Sequence, residues 1–232
     1  MRSEELTLIR RLPLFASMGE ASFAAILQAA YLQVFPPQVK LFAEGDSADF
    51  LHVVVDGCIE LFAEANGRET SVMLARPVSA FILAAVLKDA VYLMSARTIE
   101  KSRVLMIPSR DIRTAFERDT AFAGALVDEL ASAYRAVIRE HKNQKLRTGL
   151  ERLANLLLSL HRNQGGSGVL TLPCDKKTLA GLLGMAPENL SRAFGALKEY
   201  GVTVTGAEVR LAKVGDLETL AKPMPLIDDW AE

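Results

Sequence analysis

DKKTLAGLLGMAPENLSRAFGALKEY, residues Asp175–Tyr200, reads as two short helices meeting at a tight corner. Leu179, Ala180, Leu182 and Leu183 give the first helix an apolar face. Gly184 ends it, because glycine enters the left-handed conformation a helix terminus needs without a Cβ penalty. Met185 and Ala186 form the corner, and Pro187 opens the second helix, where its missing N–H costs nothing. Leu190, Ala193, Phe194 and Leu197 recur at helical spacing and face inward. Glu188, Asn189, Ser191, Arg192 and Lys198 are left on other faces. Such a pair of helices is a helix-turn-helix, whose second helix enters the DNA major groove with its N-terminal residues on base edges.

Outward from that motif the chain reads as α+β. Upstream, Thr148 followed three residues later by Glu151 is a capping box that starts a leucine-rich helix. Downstream, VTVTGAEVRLA (residues 202–212) is a hairpin around Gly206, a β-wing. Residues 147–222 therefore form a winged helix-turn-helix, and 223–232 read as a poorly ordered tail. Before the capping box, residues 120–146 form one long helix with an apolar stripe through Leu126, Leu130, Tyr134 and Val137. Such a stripe packs on its own domain or pairs with a copy of itself. Residues 1–119 open with short helices at Glu4–Arg11 and after Ser17, then change period to many short strands. Asp56-Gly57 and Asn66-Gly67 both read as hairpin turns, and further strands are expected at Tyr92–Ile99 and Val104–Ile107. This pattern predicts an antiparallel, jelly-roll-like β-roll.

Composition sets limits on function. Formal net charge is −1, but residues 176–213 carry six Lys/Arg against three Glu, a local basic excess that suits nucleic acid. The same numbers also describe an ordinary solvated surface. The two cysteines, Cys58 and Cys174, are far apart and make neither a disulfide framework nor an iron–sulfur or zinc ligand set. No apolar run is long enough for a signal peptide or a membrane span, so a cytoplasmic protein is expected. Ser/His/Asp sets, phosphate loops and metal-ligand spacings are missing, and the chain does not read as an enzyme.

The order of elements, the roll stretch EGDSADFLHVVVDG (residues 44–57) and the recognition helix PENLSR (residues 187–192) resemble the CRP/FNR superfamily of bacterial transcription regulators, over nearly the whole chain from Leu14 to Ala221. Glu188, Ser191 and Arg192 match the Glu-x-x-Ser-Arg signature of its FNR-like branch. The resemblance implies a homodimer paired through the long helix, a TTGAT-N4-ATCAA-like palindrome as target, and RNA polymerase as a further partner. The chemistry suits those roles: Arg pairs with guanine, Glu accepts from a cytosine amino group, and Ser is a short adaptable contact. Lys176, Lys177 and Thr178, at the start of the first helix, are the expected phosphate contacts. For Glu188 the bland alternative is an acid favouring the helix dipole.

In its sensor region the chain departs from the better-known relatives. Cyclic-AMP-binding members carry Gly-Glu and Arg-Ser pairs where this chain has Leu83-Ala84 and Met94-Ser95, and a Thr-Ser pair where it has Val137-Ile138. A cyclic nucleotide is therefore not expected. Nor is an iron–sulfur cluster, since no cysteine precedes Cys58. An apolar pocket remains, assigned to Phe81, Leu83, Ala84, Leu87, Tyr92, Met94, Val137 and Ile138, although the same run is also what barrel core looks like. AFILAAVLKDAVYLMSART (residues 80–98) is most similar to the nitric-oxide-responsive DNR/NnrR branch that controls denitrification, which implies haem as a cofactor. The ligand candidates are His141, by its position on the long helix, and Met94 or Tyr92 in the pocket; His161 reads as structural, as does His52, whose strand leaves open whether it points into the roll or to its surface. The alternative is an effector-independent regulator whose pocket is closed by its own side chains.

Overall fold

The structure, a computed structural model, describes residues 3–228. It divides into two compact units, one up to Tyr134 and one from Arg135 onward, with the division inside the long helix.

The first unit opens with helices α1 (Ser3–Arg10), α2 (Pro13–Ala16) and α3 (Glu20–Ala29). Strands β1 (Tyr31–Phe35), β2 (Lys40–Phe42), β3 (Phe50–Asp56), β4 (Ile59–Ala65), β5 (Arg68–Ala75) and β6 (Ser79–Phe81) follow, then helix α4 (Leu83–Lys88), β7 (Ser95–Thr98), β8 (Ser102–Pro108) and α5 (Ser109–Arg118). The eight strands make two four-stranded antiparallel sheets, ordered β1-β8-β3-β6 and β2-β7-β4-β5. Leu51, Val53, Val54, Ile59, Leu61, Leu105 and Ile107 are fully buried in the core.

Of the two expected hairpins, only one forms. Asn66 (φ 53°) and Gly67 (φ 70°) both take positive φ and join β4 to β5, as a two-residue type I′ turn requires. Asp56-Gly57 has only Gly57 at positive φ (88°), and it carries the chain from one sheet to the other. Glycine is needed there for close approach, since a Cβ would lie 2.4 Å from Ser102 Oγ and 2.6 Å from Ser102 Cα. The expected strand Tyr92–Ile99 is shorter, Ser95–Thr98, because Tyr92 bonds the Glu44–Ser47 turn instead: its N–H donates to Asp46 O and its carbonyl accepts from Gly45 N–H (both 2.9 Å). The apolar run after Phe81 turns into α4, flanked by left-handed Ile82 and Asp89.

Helix α6 (Thr120–Leu146) is N-capped by Asp119, whose carboxylate accepts from Phe122 N–H (3.0 Å) and Gly19 N–H (2.8 Å). Those hydrogen bonds hold the Asp119 carboxyl below its ordinary pKa. Phe122 stacks on Phe15 at 6.0 Å, and Leu126 is fully buried in the same core. Leu126 therefore belongs to its own unit, not to a dimer seam. Further along, the stripe is open: Val127, Tyr134, Val137 and Ile138 are 59%, 67%, 64% and 41% exposed.

The second unit contains the end of α6, then α7 (Gly149–Asn163), β9 (Val169–Thr171), α8 (Lys176–Leu182), α9 (Pro187–Ala196), a 3₁₀ turn at Leu197–Tyr200, β10 (Val202–Thr205), β11 (Glu208–Leu211) and α10 (Val214–Ala221). The wing is a three-stranded antiparallel sheet ordered β10-β11-β9. The capping box is present: Glu151 N–H donates to Thr148 Oγ1 (3.3 Å), and Thr148 N–H donates to Glu151 Oε2 (2.8 Å). The segment after Ala221, expected as a loose tail, instead packs back as far as Asp228, with Ile227 buried. Residues 229–232 of that expected tail lie outside the described residues. Among the described residues no helix is long and apolar enough to cross a membrane.

Candidate DNA interface and effector region

The helix-turn-helix follows from local chemistry. Asp175 caps α8: one carboxylate oxygen accepts from Lys177 N–H (2.8 Å) and Thr178 N–H (2.9 Å), the other from the Thr178 hydroxyl (3.1 Å). Partial burial opposes ionisation of Asp175, but these hydrogen bonds outweigh it and lower its pKa. Gly184 (φ 60°) closes α8, with Met185 N–H on Ala180 O (2.9 Å) and Gly184 N–H on Gly181 O (2.8 Å). These two bonds are the paired 6→1 and 5→2 contacts of a Schellman motif. Pro187 is the first residue of α9, as its fixed φ favours. Leu190 and Phe194 are buried beneath the helix, and Leu197 follows in the 3₁₀ turn.

Glu188, Asn189, Ser191 and Arg192 are all exposed on α9. Positions 188, 191 and 192 stand at i, i+3 and i+4, so they share one face. The Ser191 hydroxyl donates back to Pro187 O (3.1 Å). Among the described residues, no hydrogen bond or ion pair engages the side chains of Glu188, Asn189 or Arg192. Asn189 and Arg192 also border an open groove of about 550 Å³ whose floor includes Leu150, Met185, Ala193 and Ala196. Of the expected phosphate contacts, Lys176 and Lys177 are exposed, with Lys176 Nζ 5.7 Å from the Phe194 ring centroid. Thr178 is not one: it is buried and its hydroxyl is held by Asp175, so it serves the cap.

In the roll, Phe81 and Tyr92 come together around a residue that the sequence alone left ambiguous, His52. His52 sits opposite Phe81 on β6 and Met106 on β8. The ring centroids of Phe42, Phe81 and Tyr92 lie 5.0, 5.4 and 6.2 Å from its own, and Phe42 lies 3.9 Å from Tyr92. The Tyr92 hydroxyl donates to Phe50 O (3.1 Å). His52 is 2% exposed, and among the described residues its Nδ1 has no partner. Burial pushes its pKa down to about 4, only partly opposed by a hydrogen bond with the Phe50 backbone. Alternation along FLHVVVD was the available signal, but a strand buried on both faces gives no polar side to exclude.

The other pocket candidates divide by helical geometry. Leu83 is buried on α4 and Leu87 packs on the core, whereas Ala84, one step round, is exposed and lines nothing internal. Met94 packs against the same core. Val137, Ile138 and His141 are exposed on α6, so His141 has the environment of a surface residue and not of a buried metal ligand. Among the described residues no group of three or more His, Cys, Asp or Glu could hold a metal. Cys58 is buried, and burial raises its pKa, as expected of an inert thiol.

A charged cluster lies on the other sheet. Arg97 on β7 donates through Nε to Glu60 (2.6 Å) and through its two terminal nitrogens to Glu69 (3.1 and 2.9 Å). Glu60, almost fully buried, also accepts from the Ser71 hydroxyl. Arg97 stacks on the Phe62 ring at 4.3 Å.

Comparison with known proteins agrees with this architecture. Residues 32–119 match the cyclic nucleotide-binding domain family, and residues 151–222 match the Crp-like helix-turn-helix domain family. The cyclic AMP receptor protein of Thermus thermophilus is 28% identical over 213 residues, 90% of this chain and 96% of that protein. The transcriptional activator protein FnrA of Stutzerimonas stutzeri is 24% identical over 183 residues, 74% of this chain and 72% of that protein. In fold, FixK2 from Bradyrhizobium japonicum superposes with a TM-score of 0.72 at 21% identity, covering 84% of this chain and 98% of that one. With a cyclic-nucleotide-binding-type roll, a long helix and a Crp-like helix-turn-helix in that order, the chain belongs to the CRP/FNR family of DNA-binding transcription regulators.

Proposed function

We propose that this regulator acts as a cytoplasmic homodimer that reads a TTGAT-N4-ATCAA-like palindrome through Glu188, Ser191 and Arg192, with Asn189 beside them and Lys176 and Lys177 on phosphates. The observation that carries this reading is the exposed face of α9, where Glu188 and Arg192 have no internal partner and stand one turn apart. Pairing of two copies is supported by the open stripe of Tyr134, Val137 and Ile138 on α6, with half-buried Leu130 at its edge. A two-fold dimer of this kind sets its recognition helices about one helical turn of DNA apart and so requires a palindrome. RNA polymerase is the partner expected once the dimer is on DNA. The test is a binding titration on the palindrome and on single-base variants: Arg192→Ala should lose about 1–3 kcal/mol of discrimination at one G·C pair. Equal losses on specific and random DNA would reduce Arg192 to a phosphate contact and overturn its assignment.

For the trigger, the resemblance implies nitric oxide or a related signal, carried by haem, in a regulator of denitrification. The residues around the orphaned His52 Nδ1 do not fit a porphyrin, because the Phe42, Phe81 and Tyr92 rings already occupy the space about the imidazole. Met94 is engaged in core packing and the Tyr92 hydroxyl is hydrogen-bonded. A cyclic nucleotide is disfavoured on separate grounds: Met94 and Ala84 offer no phosphate cradle, and the cation three residues after Met94, Arg97, is already paired with Glu60 and Glu69. This packing favours the alternative, an effector-independent regulator whose pocket is closed by its own side chains. Purified protein mixed with haem and then desalted should retain no Soret absorption, and its DNA affinity should not change with nitric oxide or cyclic AMP. A haem spectrum that shifts with nitric oxide would reverse the choice.

A further inference from the structure

The joint between α6 and α7 holds more buried polar chemistry than a simple helix–helix corner needs. Arg147, in the two-residue link between the helices, is buried with its guanidinium paired to both carboxylate oxygens of Asp228, one at 2.7 Å. Both side chains are under a tenth exposed. Arg147 also donates to the Asn143 side chain on the last turns of α6 (3.1 Å). Asp228 in turn accepts from Met224 N–H (2.7 Å), Lys142 donates to Leu226 O (3.1 Å), and Ile227 is buried. The segment 222–228 thus runs back from α10 and clasps the joint. On the other side of the link, Arg152 of α7 donates to the carbonyls of Arg147 and Leu183 (both 2.8 Å), with longer contacts to those of Gln144 and Gly184 (both 3.4 Å). One guanidinium therefore ties the end of α6 to the helix-turn-helix corner. Gln144 packs so closely on that corner that a Cβ on Gly184 would meet its Oε1 at 2.4 Å.

We infer that Arg147, Asp228 and Arg152 are positioning residues for DNA reading: the C-terminal segment is a strap that fixes the angle at which the helix-turn-helix leaves the end of α6. The geometry suits the task. A bidentate arginine–carboxylate pair constrains orientation as well as distance. A buried pair of this kind contributes more to holding one arrangement than to net stability, and loss of one partner leaves a buried charge unmatched. The strap matters only in a protein whose two recognition helices must be held at a set spacing, so the inference rests on the palindrome reading.

The test uses the full chain with Asp228→Asn, an isosteric change, and Arg152→Lys, which keeps the charge but loses the planar fork. Hydrogen exchange needs no DNA. Amides of residues 146–152 should exchange at least about ten-fold faster in both variants, while the wing strands keep parental protection. Spacing is read with palindromes of three, four and five central base pairs and with a single half-site. The parent should discriminate against the wrong spacers, and both variants should lose roughly ten-fold of that discrimination while keeping half-site affinity. Unchanged exchange at 146–152 in both variants overturns the strap, as does spacing discrimination equal to the parent's. If the parent itself shows no preference for the palindrome, the palindrome reading fails, and the exchange result still decides whether the strap holds the joint.

Discussion

The roll and the DNA-binding unit treat their polar groups in opposite ways. On α9, Glu188, Asn189 and Arg192 stand exposed with no partner among the described residues, ready for a ligand that supplies complementary groups. In the roll, Arg97 is matched by Glu60 and Glu69, and the Tyr92 hydroxyl by the Phe50 carbonyl. Among the described residues of the roll, the Nδ1 of His52 is the buried side-chain atom that breaks that rule. A surface that reads another molecule must leave its donors and acceptors unmatched, whereas a core cannot, because each buried unmatched group costs about 1–3 kcal/mol. The contrast explains why the DNA face is legible as a site and the roll reads as a closed core.

The sharpest way to break this comparison is at Arg97. Arg97→Ala strands the buried Glu60 carboxylate and should cost about 3–5 kcal/mol in denaturant unfolding. Arg192→Ala, on the exposed face, should stay within about 0.5 kcal/mol of the parent. Similar costs for the two would mean that Arg192 also carries structural weight. A second contrast lies along α6. Leu126→Ala should destabilise the roll by about 2–5 kcal/mol while leaving the mass in solution dimeric. Tyr134→Glu should yield monomers by light scattering with little loss of fold. A monomer from Leu126→Ala with an intact thermal transition would return Leu126 to the seam.

His52 gives the smallest and most specific test. Its folded pKa of about 4 lies below the ordinary 6.5 of the unfolded chain. Between those values the unfolded state binds more protons, so stability must fall as pH drops from 6.5 to about 4 and level off below. The full penalty is up to about 3 kcal/mol. His52→Phe, which extends the aromatic cluster, should remove that part of the pH dependence and raise stability at neutral pH by relieving the orphaned nitrogen. A parental slope retained in the variant would place the titrating group elsewhere.

Legibility followed the range of the forces. The capping box at Thr148 and Glu151, the Schellman end at Gly184, Pro187 at the start of α9 and the Asn66-Gly67 hairpin were all readable because each needs only residues within one turn. Asp56-Gly57 misled because its dipeptide is equally suited to a turn and to a tight crossing, and Ser102, far along the chain, selects the crossing. The stripe on α6 was visible, but not where core ends and open face begins. Phe15 claims Phe122, and the same core buries Leu126, while Tyr134 and Val137 are left open. Nothing local in KPMPLIDD announces a strap, since its anchor, Arg147, is a single charged residue between two helices.

By itself, then, the sequence determined the order of elements, the helix-turn-helix with its Glu188, Ser191 and Arg192 face, and the long helix, because dihedral preferences, caps and apolar periodicity act between near neighbours. Only the tertiary structure decided that β3 pairs with β6 and β8 instead of β4, that His52 turns inward among aromatic rings, that Thr178 serves the cap, and that Asp228 returns to Arg147. Each of those outcomes is set by desolvation and close packing between residues distant in the chain, which periodicity does not encode.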